Sequence, residues 1–106
     1  MRVLVVGYGS IGKIHASILN DLGHQVALVS KRGASKMLSF KGLKKALMEY
    51  DPEYIVISNK TADHKSTLDD VIGSGFKGKI LVEKPIFNYW ESKISKKVSR
   101  IFVGYN

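Results

Sequence analysis

Residues 2–12 read Arg2-Val3-Leu4-Val5-Val6-Gly7-Tyr8-Gly9-Ser10-Ile11-Gly12, a short β-branched and leucine run that gives way to three glycines spaced G-x-G-x-x-G. An apolar run this short, closed by glycine, suits a strand buried on both faces in a parallel sheet. Beyond the glycines, Ile11, Ile14, Ile18, Leu19 and Leu22 recur at helical spacing, and Gly23 stands where a left-handed helix C-terminal residue is wanted. The glycines therefore fall directly between a strand and the opening of a helix, the context in which this spacing has a mechanism. Gly7 permits a tight turn, Gly9 lets the backbone approach a pyrophosphate, and Gly12 lets the helix pack close to the strands, while the amides from Gly9 through Ser10 to Ile11 supply an anion site. The bland alternative is a strand-to-helix turn with no ligand.

Working outward, Gln25 to Ser30 is a second apolar run and reads as a strand, and Lys31 to Lys36 is a polar loop. Met37 to Phe40 reads as a short edge strand, and Leu43, Ala46 and Leu47 mark a helix that ends before Asp51-Pro52. Tyr54 to Ser58 is another buried strand. Asp63 to Ile72 is a helix ended by Gly73-Ser74-Gly75. Lys79 to Glu83 is a strand stopped by Pro85, Trp90 to Val98 a short basic helix, and Arg100 to Gly104 a last strand. Strands alternating with helices need crossover connections, which are nearly always right-handed. The expected fold class is therefore α/β: a Rossmann-type doubly wound parallel sheet in three α/β/α layers, formed as one domain by residues 1–106. Ligands then sit beyond the carboxyl ends of the strands.

Composition narrows the rest. A chain of 106 residues, 44% hydrophobic, has room for one contiguous core. Cysteine is absent, which excludes disulfides and thiolate metal sites, and no metal site is expected. Met1-Arg2 runs straight into the first strand with no secretory signal, so the expected setting is the reducing cytoplasm. No apolar stretch is long enough to cross a bilayer, and no membrane partner is expected. The formal charge of +8, from 17 Lys+Arg against 9 Asp+Glu, favours an anionic partner. The lysines are scattered without aromatic interleaving, so nucleic acid is not the expected one, and most of them read as solvated surface.

Two further stretches carry chemistry. A dinucleotide enzyme normally reads the adenosine ribose with an Asp or Glu at the end of the second strand, about 20 residues past the glycines. Here that position reads Ser30-Lys31-Arg32. One hydroxyl and two cations suit a 2'-phosphate better than a 2'-hydroxyl, so NADP is preferred over NAD. Otherwise the two cations merely decorate a loop. Glu83-Lys84-Pro85 stands at the end of a buried strand, where a lysine would point toward the nicotinamide cleft and burial beside a positive ring would favour its neutral amine. Without context, a strand end with a snorkelling lysine is the better account of that tripeptide.

The glycine loop and Glu83-Lys84-Pro85, separated by this pattern of elements, resemble the N-terminal domain of the glucose-fructose oxidoreductase and inositol dehydrogenase family, also called Gfo/Idh/MocA. The resemblance runs over essentially the whole chain, with His15 and His64 at positions where the family often has histidine. It is nearest in feel to members from bacterial surface-polysaccharide gene clusters. It implies hydride transfer between NADP or NAD and a CH–OH group of a sugar, sugar-nucleotide or cyclitol. It also implies a catalytic role for Lys84 beside nicotinamide and substrate, working with an Asp and a His from a C-terminal substrate domain that residues 1–106 do not contain. The fragment alone is then expected to bind cofactor without turnover, and the full-length protein to be a homo-oligomer. Gly104-Tyr105-Asn106 resemble the junction between the two domains, as in a truncated gene or an expressed fragment.

The family commonly has Thr-Pro-Asn where this chain has Asn59-Lys60-Thr61, in a loop that edges the nicotinamide site. Asn59 is accordingly a cofactor-binding candidate, and Lys60 either adds an anion contact or alters substrate scope. His64 either caps the next helix near the cofactor or faces solvent. His15 reads as a packing or surface histidine rather than a catalyst, and His24 as a turn residue. The competing reading is a non-catalytic NAD(P)-sensing module with no substrate domain.

Overall fold

The computed structural model describes residues 1–31, 37–60, 63–83 and 101–103. Among these residues, six strands and three helices follow in the order β1 (Arg2–Val6), α1 (Ser10–Asp21), β2 (Gln25–Val29), β3 (Leu38–Phe40), α2 (Leu43–Tyr50), β4 (Tyr54–Ile57), α3 (His64–Gly73), β5 (Lys79–Val82) and β6 (Ile101–Val103). All strand pairs are parallel, in the order β3-β2-β1-β4-β5-β6. This is the expected doubly wound Rossmann-type sheet, with β3 as the expected edge strand. The chain leaves β1 toward β2 and β3, then returns across the sheet to β4, so the direction of winding reverses between β1 and β4. A crevice opens at such a reversal, beyond the strands' carboxyl ends.

Alternation along the strands divides the core in two. Leu4, Val6, Ala27, Ile55, Ile57, Ile80 and Val82 face α2 and α3 together with Ala46, Leu68 and Val71. Val3, Val5, Leu28 and Val56 face α1, where Ala16 meets them. Val3 to Val6 are at most 5% exposed, so β1 is covered on both sides, as its unbroken apolar run requires. On the α1 side, burial raises the Tyr54 phenol above its ordinary value of 10.0.

The first helix forms where its periodicity places it. The apolar residues whose spacing marks it do not form its core face: Ile11, Ile14, Ile18 and Leu22 are exposed. The buried positions are Gly12 and Ala16, with Leu19 partly buried behind them. Small residues turn inward because α1 lies close on the sheet. Gly23, with φ of +89°, then ends the helix as expected, and the His24 amide beyond it donates to the Leu19 carbonyl at 3.1 Å.

The strands Gln25 to Ser30 and Lys79 to Glu83 prove one residue shorter, ending at Val29 and Val82, and the last strand is trimmed to Ile101–Val103. The expected helix from Trp90 to Val98 lies outside the described residues, as do Arg32 and Lys84.

Candidate functional site at the carboxyl edge of the sheet

The parallel ladder runs one residue past each strand and lines up a row of functional positions. The Ser30 amide donates to the Phe40 carbonyl at 3.0 Å, Gly7 to Val29 at 2.9 Å, Ser58 to Val6 at 2.8 Å and Glu83 to Ile57 at 2.9 Å. Ser30, Gly7, Ser58 and Glu83 thus stand side by side across β2, β1, β4 and β5. Sequence reasoning named three of the four. Ser58 was read only as a strand end, and no motif marks it, although its Oγ lies 3.0 Å from the Gly7 carbonyl and 3.2 Å from that of Val6.

The glycine loop bends from β1 into α1 in this row. Gly7 has φ of +94°, and a Cβ there would stand 2.5 Å from the Asn59 Cα, so both conformation and space demand glycine. A Cβ on Gly12 would stand 2.1 Å from the Gly7 carbonyl oxygen. Gly9 is different. Its φ of −82° is open to any residue, and nothing lies within 4 Å of a Cβ placed on it. It is also the N-cap of α1 and makes no side-chain cap. The first helical amide bond runs from Lys13 back to Gly9 at 2.9 Å. The amides of Ser10, Ile11 and Gly12 therefore precede the first intrahelical donor and point out of the helix start. With open space over Gly9, they leave a helix start whose free amides can meet an anion. Lys13 Nζ lies 5.5 Å from the Tyr8 ring centroid at the same turn.

On the β4–β5 side the row is polar and largely buried. His64, the first residue of α3, is 2% exposed, which removes the solvent-facing alternative. Its Nε2 donates to the Asn59 carbonyl at 2.8 Å, and Asn59 Nδ2 donates to Thr67 Oγ1 at 2.8 Å. With Nε2 carrying the proton, the neutral ring presents Nδ1 as an acceptor. Glu83 is 7% exposed, and its Oε1 accepts from His15 Nε2. His15, expected as a packing or surface residue, thus joins α1 to the end of β5. The pair was not visible in the sequence, because the two residues stand 68 positions apart.

Three atoms here are buried without a partner among the described residues: Asn59 Oδ1, His64 Nδ1 and Glu83 Oε2. All three are acceptors in these protonation states, and buried polar groups are rarely left unmatched. Among the described residues nothing donates to these three atoms. Lys31 and Lys60 are exposed beside the row. Among the described residues, no cluster of His, Asp or Glu could hold a metal ion, and no helix is long and apolar enough to cross a membrane.

A cavity at the opposite, amino-terminal edge is lined by Leu47, Met48, Pro52 and Phe76. The carboxylates on its rim are exposed, 88% for the side chain of Asp51 and 52% for that of Glu53. Among the described residues, none of the unmatched buried polar atoms belongs to a residue lining it.

Solved structures share the fold at low sequence identity. The WlbA dehydrogenase from Bordetella pertussis, in complex with NADH and UDP-GlcNAcA, matches 97% of this chain with 21% identity and a TM-score of 0.78. GenD2 from gentamicin A biosynthesis, in complex with NAD, matches 98% with 22% identity and a TM-score of 0.78. Scyllo-inositol dehydrogenase from Lactobacillus casei, with NAD(H) and scyllo-inositol bound, matches 98% with 18% identity and a TM-score of 0.75. The chain spans about a third of the length of these proteins, 36%, 34% and 36% respectively. These likenesses establish the α/β Rossmann-type architecture. No protein-family model matches the chain, and no curated protein does.

Proposed function

We propose that this chain is the dinucleotide-binding domain of an NAD(P)-dependent oxidoreductase of the glucose-fructose oxidoreductase and inositol dehydrogenase type. The substrate class is a sugar, sugar-nucleotide or cyclitol with a CH–OH group, and surface-polysaccharide synthesis is the proposed setting. The observation that carries the reading is Gly9. At a helix N-cap Asn, Asp and Ser outrank glycine by a few tenths of a kcal/mol, and neither backbone conformation nor crowding asks for glycine at this position. A ligand that must approach the backbone closely does ask for it.

In this reading the amides of residues 10–12 hold the diphosphate, and Ser30, Lys31 and Arg32 receive the adenosine end. Asn59, His64 and Glu83 border the nicotinamide end with their unmatched acceptors. Lys84, following Glu83, orients the reacting oxygen and holds a proton at Nζ. When bound, the nicotinamide ring supplies or accepts the hydride. Substrate contacts, turnover and homo-oligomer assembly belong to further sequence of a longer protein, in a cytoplasmic setting. The structural neighbours carry NADH or NAD, which supports the dinucleotide class. Ser30-Lys31-Arg32 supports a preference for NADP within it.

Calorimetric titration of the chain and of Gly9→Asp tests the proposal. The new carboxylate should cap α1 and sit favourably at its positive end, keeping or raising the melting temperature. It should also weaken dinucleotide binding by roughly tenfold or more, a loss of about 1.4 kcal/mol. Unchanged affinity in the variant would remove the assigned cradle. For the wild-type chain NADPH should bind more tightly than NADH, and equal affinity would remove the role given to residues 30–32.

A further inference from the structure

We infer that His15 is a positioning residue that ties the diphosphate-binding end of α1 to the nicotinamide side of the crevice by holding the Glu83 carboxylate. The inference rests on the proposed dinucleotide reading and adds to it a role for a helix residue outside the glycine loop.

The geometry is specific. His15 lies one turn into α1, three residues past Gly12, with its side chain 24% exposed. Glu83 lies one residue past β5, its backbone fixed by the ladder bond to Ile57 and its side chain 9% exposed. A carboxylate this deeply buried needs donors. Among the described residues it receives one, from His15 Nε2, while Oε2 stays bare. The donor therefore fixes which way the bare oxygen faces. It does so from the helix whose first turn forms the diphosphate cradle, so one hydrogen bond sets the two ends of the crevice in register across β4. Without it, Glu83 would keep its backbone position and lose its side-chain orientation. The fold would survive, and the damage would fall on the nicotinamide end, leaving the adenosine-diphosphate end intact.

The test compares wild-type chain, His15→Phe and His15→Gln, each titrated with NADH and with ADP. Phenylalanine fills the ring's space without a donor, and glutamine restores an amide donor without a charge. His15→Phe should bind NADH about tenfold more weakly, the scale of one hydrogen bond to a charged group, and ADP as the wild type does. His15→Gln should recover most of the NADH affinity. The fluorescence gain of bound NADH gives a second readout, expected to fall in the phenylalanine variant and return in the glutamine variant. Undiminished NADH affinity in His15→Phe, equal losses for NADH and ADP, or a glutamine variant as weak as the phenylalanine one would each overturn the inference. Failure of the wild-type chain to bind either nucleotide would instead bring down the dinucleotide reading beneath it.

Discussion

A Cβ built on Gly12 would meet the Gly7 carbonyl oxygen, in the turn between β1 and α1, at 2.1 Å and the Ser58 Oγ, just past β4, at 3.0 Å. The first contact is with backbone and has no flexible side chain to yield, so α1 would have to lift from the sheet. Gly12→Ala is accordingly expected to cost about 1–3 kcal/mol, the usual range for overpacking, as a lower urea midpoint at unchanged slope. Gly9→Asp should leave that midpoint in place. The two glycines of one motif thus separate into one that the fold requires and one that it does not, and paired denaturation and titration of the two variants reads whether a ligand requires the second. An unchanged midpoint for Gly12→Ala would show that the turn yields more than its contacts allow. These glycines were legible in the sequence because their spacing encodes a local backbone path. His15–Glu83 was not, since a contact across 68 residues leaves no periodic trace.

At the scale of the element, α1 shows that the periodicity that locates a helix need not mark its buried face. Periodicity of Ile11, Ile14, Ile18 and Leu22 located it, yet these residues are 40%, 54%, 53% and 67% exposed, while Ala16 is 1% exposed. Hydrophobic size is a poor guide wherever a helix must approach a sheet closely, because the contact then selects the smallest side chains. Ala16→Leu should therefore lose about 1–3 kcal/mol by overpacking the cluster of Val3, Val5, Leu28 and Val56. Ile18→Gln should stay within about 0.5 kcal/mol of wild type and lessen self-association, measured by light scattering beside chemical denaturation. The opposite ranking of the two variants would restore the isoleucine stripe as the core face. Strand positions were more legible. Parallel strands buried on both faces read as unbroken apolar runs, and their carboxyl ends were placed to within a residue. The stretch around Lys84 was legible only as a motif, and the residue itself lies outside the described structure.

For the whole molecule, the +8 charge and the amide cradle make different claims about the same anionic ligand. A net charge attracts any polyanion, and its effect fades as salt shortens the screening length. A shaped cradle with buried acceptors beside it discriminates among anions and keeps that discrimination in salt. Ligand binding to the folded state alone stabilises by about 2.7 kcal/mol at a hundredfold excess over the dissociation constant. In a domain of this size each kcal/mol raises the melting temperature by roughly 4–8 °C, so saturating NADPH should raise it by about 10 °C or more. Pyrophosphate at the same concentration should give a smaller shift, since it fills the cradle but leaves Asn59, His64 and Glu83 without donors. Repeating the melts with salt well above the physiological range separates the two claims. If the NADPH shift persists while that of a disordered polyanion such as polyphosphate collapses, the carboxyl edge is a specific dinucleotide site; if both collapse together, charge alone accounts for the binding.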